Sequence, residues 1–210
     1  QQERGPDIMK VGLLGASGGV GSLFARLALD AGHEIVALAR SPSKITIQHP
    51  NLTVITGDAT SASDVSRVVQ GTDVIVSAVG QPPRAKTHIM ELVTKNILES
   101  NPAKFILISS LGIGGSAPSI HCILSLIAGS DNINDAEAAD RLACSSTACP
   151  WVVVRPAGLS DAPGTGRYLA TEATGASLRP LSRADVAQFL LDALTEKKWE
   201  RKAIQLYSAK

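Results

Sequence analysis

Aromatic side chains make up only 3% of this 210-residue sequence, so its core must be built from Val, Ile, Leu and Ala. Tyrosine is limited to Tyr168 and Tyr207, and no lysine occurs between Lys104 and Lys197. A tyrosine that gives its proton to a carbonyl is helped by a neighbouring cation that lowers its pKa, and the residue four after Tyr168 is Glu172. The net charge of +1 gives no broad basic field, which argues against nucleic acid as a partner. Cys122, Cys144 and Cys149 lack metal-type spacing. They read as small buried or half-buried residues, and no metal is expected. Their odd number suits a reducing compartment, and a cytoplasmic location is expected. The longest apolar stretch, near Ile123 to Ala128, is far too short to span a bilayer.

Apolar residues at 44% and charged residues at 19% fit a globular α/β core. Residues 1–8, QQERGPDI, read as a disordered or appended N-terminal extension, with Met9 as a natural start. Residues 9–210 are expected to form a single domain.

The organising stretch is Val11 to Arg40, VGLLGASGGVGSLFARLALDAGHEIVALAR. Val11 to Leu14 reads as a strand buried on both faces. Gly15, Gly18 and Gly21 follow at a spacing of three. Leu23, Phe24, Leu27 and Ala28 give helical spacing over Ser22 to Ala31. Gly32 stops that helix, and Glu34 to Ala39 reads as the second strand. This is the pattern that seats a dinucleotide: one glycine turns the chain, one lets the pyrophosphate approach, and one lets helix and strand pack. The N–H groups of the helix start face the phosphates. Ser17, Gly19 and Val20 belong to the same turn. At the tip of the second strand an acid would bond the 2′-OH of NAD. Arg40 stands there, with Ser41, Ser43 and Lys44 after it. Guanidinium, hydroxyl and ammonium groups suit a 2′-phosphate, so the expected cofactor is NADP(H).

Further strands are expected at Leu52 to Thr56, Asp73 to Ser77, Lys104 to Ile108 and Trp151 to Val154. Helices are expected at Asp64 to Val69, capped by Ser61 or Ser63, at Ala85 to Ser100, and at Asp131 to Ser145. In the second of these, Ile89, Leu92, Val93, Asn96 and Ile97 should face inward. Alternating strands and helices specify a Rossmann-type doubly wound parallel sheet, order 3-2-1-4-5-6, with helices on both faces. Ligands should gather at the carboxyl ends of its strands. Asp58 and Ala59 after the third strand, and Ala78, Val79 and Gly80 after the fourth, are therefore candidate cofactor contacts. Leu111 to Ser130 lies where a substrate lid would sit. After Pro156 the chain offers a strand near Arg167 to Thr171, a helix from Ser182 to Leu194 and a strand from Ala203 to Tyr207. Residues 156–210 read as a small C-terminal cap over the cleft.

GASGGVG resembles the GxxGxxG form of the extended and atypical short-chain dehydrogenases/reductases. Gly15, Gly19 and Gly21 also satisfy the alternative GxxxGxG spacing, so the loop alone does not separate the branches. VVVRPAGLSD, GTGRY and LSRADVAQFLLDALTEKKW are similar to the C-terminal half of atypical NAD(P)H-binding, NmrA-like members, and most like the flavin reductase/biliverdin-IXβ reductase group. The likeness runs from Met9 onward, Leu111 to Ser130 excepted. It implies hydride transfer to a planar acceptor such as a flavin or quinone, without a dedicated side-chain acid. It also implies a serine at the end of the fifth strand, so Ser110 and Ser109 are the candidate catalytic groups; the alternative is a strand-end hydroxyl satisfying backbone. The backbone of Pro156, Ala157, Gly158 and Leu159 could hold the nicotinamide carboxamide, or form a plain loop. Biliverdin-IXβ-type reductases carry a histidine in this loop, where Gly158 stands here.

Arg155 reads as one half of a structural ion pair, and His121 as a solvated loop residue. Asp131, Asp135 and Glu137 read as acids complementing a helix dipole. Beside the reductase reading stands a second one, an NADP(H)-binding redox-sensing regulator or interaction protein without turnover. The expected partners are a small planar acceptor, no nucleic acid and no membrane, in a monomer or small homo-oligomer.

Overall fold

The computed structural model describes residues 8–82, 84, 87–116, 125–126, 128–172 and 179–209. Strands β1 (Lys10–Leu14), β2 (Glu34–Ala39), β3 (Leu52–Thr56), β4 (Val74–Ser77), β5 (Phe105–Ile108) and β6 (Trp151–Pro156) are the expected six. They lie parallel in the order β3-β2-β1-β4-β5-β6. Val11, Leu13 and Leu14 are fully buried, as a strand covered on both faces requires. The glycine turn leads into α1 (Gly19–Asp30), which begins three residues earlier than its apolar spacing suggests. Helix α2 (Ala62–Val69) starts at Ser61, whose hydroxyl accepts from the Asp64 amide.

Two apolar layers sandwich the sheet. One joins Val11, Leu13, Ile106 and Val154 to Phe24 and Ala28 of α1 and to Phe189 and Leu190 of α5 (Arg183–Thr195). The other joins Leu14, Leu107 and Val153 to Val65 of α2, Val93 and Ile97 of α3 (Ile89–Glu99), and Ala139 of α4 (Ser130–Ser145). The strand residues alternate between the two layers, as a pleated strand must.

Three expectations need correction. Helix α3 begins at Ile89, not Ala85, and its Leu92 is 41% exposed; Thr94 takes an inward place instead. Strand β6 runs through Arg155 and Pro156. The residues after Pro156 do more than cap. β10 (Lys202–Ser208) pairs parallel with β6, β8 (Tyr168–Thr171) pairs antiparallel with β10, and the central sheet reaches eight strands among the described residues. Helix α5 packs against α1. Beyond the sheet stands a two-stranded parallel pair, β7 (Leu159–Ser160) with β9 (Leu181–Ser182). Residues 1–7 of the expected N-terminal extension lie outside the described residues. So do His121, Cys122 and 117–124 of the expected lid. No helix among the described residues is long and apolar enough to cross a membrane.

Candidate functional site

The carboxyl ends of β1, β2, β3 and β4 enclose a cleft of about 210 Å³. Gly15, Ser17 and Gly18 of the glycine turn line it, with Arg40, Asp58, Ala59, Ala78, Val79 and Gly80. Nine expected contacts from four loops thus meet at one place. Leu38, Ala39, Gly57, Thr60 and Ile89 complete the wall. Leu38 and Ala39 gave no sign of this in the sequence, because an apolar strand end carries no signal of what covers it.

Close backbone packing explains two of the glycines. Gly15 has φ +91°, and a Cβ there would lie 2.6 Å from the Ala78 carbonyl oxygen. A Cβ at Gly21 would lie 2.2 Å from the Gly15 carbonyl oxygen. Neither contact leaves room for a side chain. Gly18 is different: its backbone is extended, and a Cβ would lie 3.2 Å from the Gly15 oxygen. Its missing side chain leaves the start of α1 bare toward the cleft. Among the described residues no side chain caps α1, and no acid occupies its first turn. The positive end of the helix is therefore left for an anion. Val20 is buried in the core, so it can offer only its backbone.

A second cavity, about 360 Å³, adjoins the first and is lined by Ser17, Arg40, Ser41 and Lys44. Arg40, Ser41 and Lys44 are exposed. Asp58 faces this cationic corner. Its carboxyl is held below the ordinary range by hydrogen bonds from the Thr60 amide and hydroxyl, at 2.9 and 2.8 Å, with the Arg40 charge adding to them. The open cleft and the bare helix start fit a nicotinamide dinucleotide.

The ends of β5 and β6 are built differently. Ser109 is buried, its amide donates to the Val154 carbonyl at 2.7 Å, and its hydroxyl has no partner among the described residues. The Ser110 hydroxyl donates to the Leu111 carbonyl at 3.2 Å. Three backbone groups expected to face a carboxamide are already engaged. The Pro156 carbonyl accepts from Leu111, the Ala157 amide donates to Leu206, and the Gly158 carbonyl accepts from Leu181. Arg155 forms the anticipated ion pair. Its Nε lies 3.0 Å from Asp140 Oδ2 and its Nη2 lies 2.6 Å from Oδ1, with both residues buried. Cys144, beside that pair, has its thiol pushed up to about 12 by burial and by the Asp140 charge, so it is no nucleophile.

Asp135 departs from expectation. It is fully buried, and its carboxylate accepts from the Met90 and Glu91 amides, each at 2.9 Å, and from the Gln81 carboxamide. It caps α3 rather than its own helix, and so ties the loop after β4 to α4. Asn132 adds a bond from its Nδ2 to the Pro82 carbonyl at 2.7 Å. His88, Glu91 and Asp135 bring potential metal ligands within 4.8 Å of one another, but the positive end of α3 opposes a cation there. Tyr168 donates to Asp192 at 2.6 Å, and its pKa is raised by burial and by that bond. Lys104 donates to the Ala193 and Leu194 carbonyls at 2.9 and 3.0 Å. Neither side chain lines the cleft.

The sequence model of a family described as NAD(P)H-binding matches residues 15–197. A 3-beta-hydroxysteroid dehydrogenase from Mycolicibacterium neoaurum is 39% identical over 69 residues, 33% of this chain and 19% of that protein's length. Among solved structures, ChuY, an anaerobillin reductase from Escherichia coli, superposes with a TM-score of 0.79 at 23% identity, covering 96% of this chain and 98% of that one. A wide-type short-chain dehydrogenase/reductase from Veillonella parvula in complex with NADP gives 0.80 at 19% identity, covering 95% and 94%. At such identities these two structures speak for the shared fold.

Proposed function

The chain belongs to this NAD(P)H-binding family, and from that premise we propose that it is an NADPH-dependent oxidoreductase passing hydride to a planar acceptor such as a flavin or quinone. The observation that carries the reading is the cavity walled by Ser17, Arg40, Ser41 and Lys44, continuous with the glycine turn through Ser17 and Arg40. A 2′-phosphate satisfies those cations, and a bare 2′-OH does not. The bare start of α1 takes the diphosphate, and the turn at Ala78, Val79 and Gly80 lets the cofactor pass over β4.

Bound NADPH supplies a hydride from its nicotinamide ring. The chain supplies position. Ser109 and Ser110 stand at the end of β5, where a hydroxyl can orient the nicotinamide or the acceptor. Gly158 and Leu159 form the wall beyond β6. Tyr168 is committed to Asp192, so proton delivery falls to solvent, as a flavin or quinone allows. Residues 9–210 act in this reading as one NAD(P)-binding unit, with the β7–β9 pair closing the acceptor side. A cytoplasmic location and a monomeric or small homo-oligomeric state accompany it.

The test mixes purified chain with NADPH or NADH and with FMN or a small quinone, and follows the absorbance of the reduced nicotinamide. NADPH should be preferred, and Arg40→Ala should weaken NADPH binding about 10- to 100-fold while leaving NADH nearly unchanged. Equal weakening of both would make Arg40 merely structural. Tight NADPH binding without oxidation across several acceptors would favour the redox-sensing regulator.

A further inference from the structure

Arg183 is the first residue of α5, yet its side chain lies across the opening of α1. A Cβ at Gly19 would sit 2.7 Å from Arg183 Cδ and 2.9 Å from Nε. The Arg183 side chain therefore rests against Gly19, the first residue of α1. Its Nη1 donates to Asp161 Oδ1 at 2.6 Å, and the Asp161 side chain is 91% exposed. Two positive features thus meet here, a guanidinium and the start of a helix that has neither capping side chain nor first-turn acid. The solvated Asp161 carboxylate answers the guanidinium. An exposed pair of this kind is weak, and an anion with more charge and more oxygens competes well for the same donors.

Resting on the cofactor reading above, we propose that Arg183 is a second cation of the nucleotide site, gripping the diphosphate over α1, and that Asp161 is the carboxylate which the diphosphate displaces. Asp161 directly follows β7, whose Leu159 belongs to the wall beyond β6. Seating the cofactor therefore frees the chain after β7, on the side where the acceptor enters. Arg40 selects the adenosine phosphate; Arg183 reads the linkage between the two halves of the cofactor.

The two roles separate with three probes. NADPH and 2′-phospho-ADP-ribose carry a diphosphate; adenosine 2′-monophosphate does not. Titration calorimetry on the full chain should find that Arg183→Met weakens the first two about tenfold or more and the third less than about twofold. Arg183→Lys should fall between, since it keeps the charge and loses the fork. Asp161→Asn should tighten NADPH by about threefold by removing the competitor. Unchanged NADPH affinity in Arg183→Met overturns the assignment, and so does equal loss of the monophosphate. Should Arg183→Met fail to fold by circular dichroism, Arg183→Lys and Asp161→Asn decide: opposite shifts for NADPH support the assignment, and any other result refutes it. A wild-type chain that binds none of the three probes defeats the cofactor reading itself. Binding with unmoved variants defeats the role of Arg183 alone.

Discussion

The two stretches of the sheet's carboxyl edge use charge in opposite ways. From β1 to β4 the cations are exposed: Arg40 and Lys44 stand in solvent around an open cavity. At β5 and β6 the charges are buried and paired, Asp140 with Arg155, and Asp135 with the amides of α3. An exposed cation loses little by waiting for an anion, so it suits a ligand. A buried ion must keep its partner or destabilise the fold. The first stretch is thus built to hold something that comes and goes, and the second to hold its own loops in place.

The largest effect should come from breaking the buried pair. Asp140→Ala leaves the Arg155 guanidinium unpaired in the interior, and stability should fall by about 3–5 kcal/mol. The loop after β5 should loosen with it, because Gly114 lies directly against Arg155: a Cβ there would be 2.2 Å from its Nη2. Urea unfolding of Asp140→Ala and of the double variant Asp140→Leu with Arg155→Met measures this. The double variant should recover most of the loss, since a matched apolar pair removes the uncompensated charge. A single-variant loss under about 1 kcal/mol would show the pair to be dispensable and erase the contrast between the two stretches.

Next comes Gly18→Val. The extended backbone at Gly18 suits a side chain, and its Cβ would press on the Gly15 carbonyl oxygen at 3.2 Å, a contact that a shift of a few tenths of an ångström relieves. The fold should survive with melting nearly unchanged, while NADPH affinity drops roughly a hundredfold because the branch stands where the diphosphate must lie. Gly21→Val is the companion. Its Cβ would meet backbone at 2.2 Å, so it should fail to fold. If both variants fold and both bind NADPH, the turn is an ordinary strand-to-helix connection.

Legibility follows the same division. The six parallel strands and the glycine turn could be read because each is a local pattern: an apolar run, a fixed spacing, a cation at a strand tip. Arg40 and Lys44 meet at one cavity because they stand only four positions apart. Asp135 and Arg183 could not be read this way. Asp135 carries the ordinary mark of an acid near a helix start, and only the packing of α4 against α3 shows that it caps the neighbouring helix. Arg183 follows a capping serine like any first-turn residue, and only the packing of α5 on α1 carries it over Gly19. The pairing of the C-terminal strands stayed hidden for a related reason. Glycine and proline in residues 158–166 suggest a small cap, and only the topology shows that β10 also pairs with β6.

The smallest effect lies away from both stretches, at His33 between α1 and β2. This side chain is 5% exposed, and its Nδ1 accepts the Met9 amide at 3.1 Å. Burial lowers its pKa below the ordinary 6.5. As pH falls through 6.5, an unfolded His33 takes a proton before the folded one does, so stability declines across that window and levels off below the folded pKa. Above 6.5 the contribution is complete. Thermal melts from about pH 8 down to about pH 5 should therefore fall more steeply for the native chain than for His33→Gln, which has no proton to take. NADPH should raise the melting temperature of both chains by the same increment at every pH, because His33 sits at the amino ends of the strands, far from the cleft. Parallel melting curves would mean that His33 feels solvent in both states. An NADPH increment that follows its titration would mean that the two ends of the sheet are coupled, and the separation drawn here between holding a ligand and holding the fold would have to be given up.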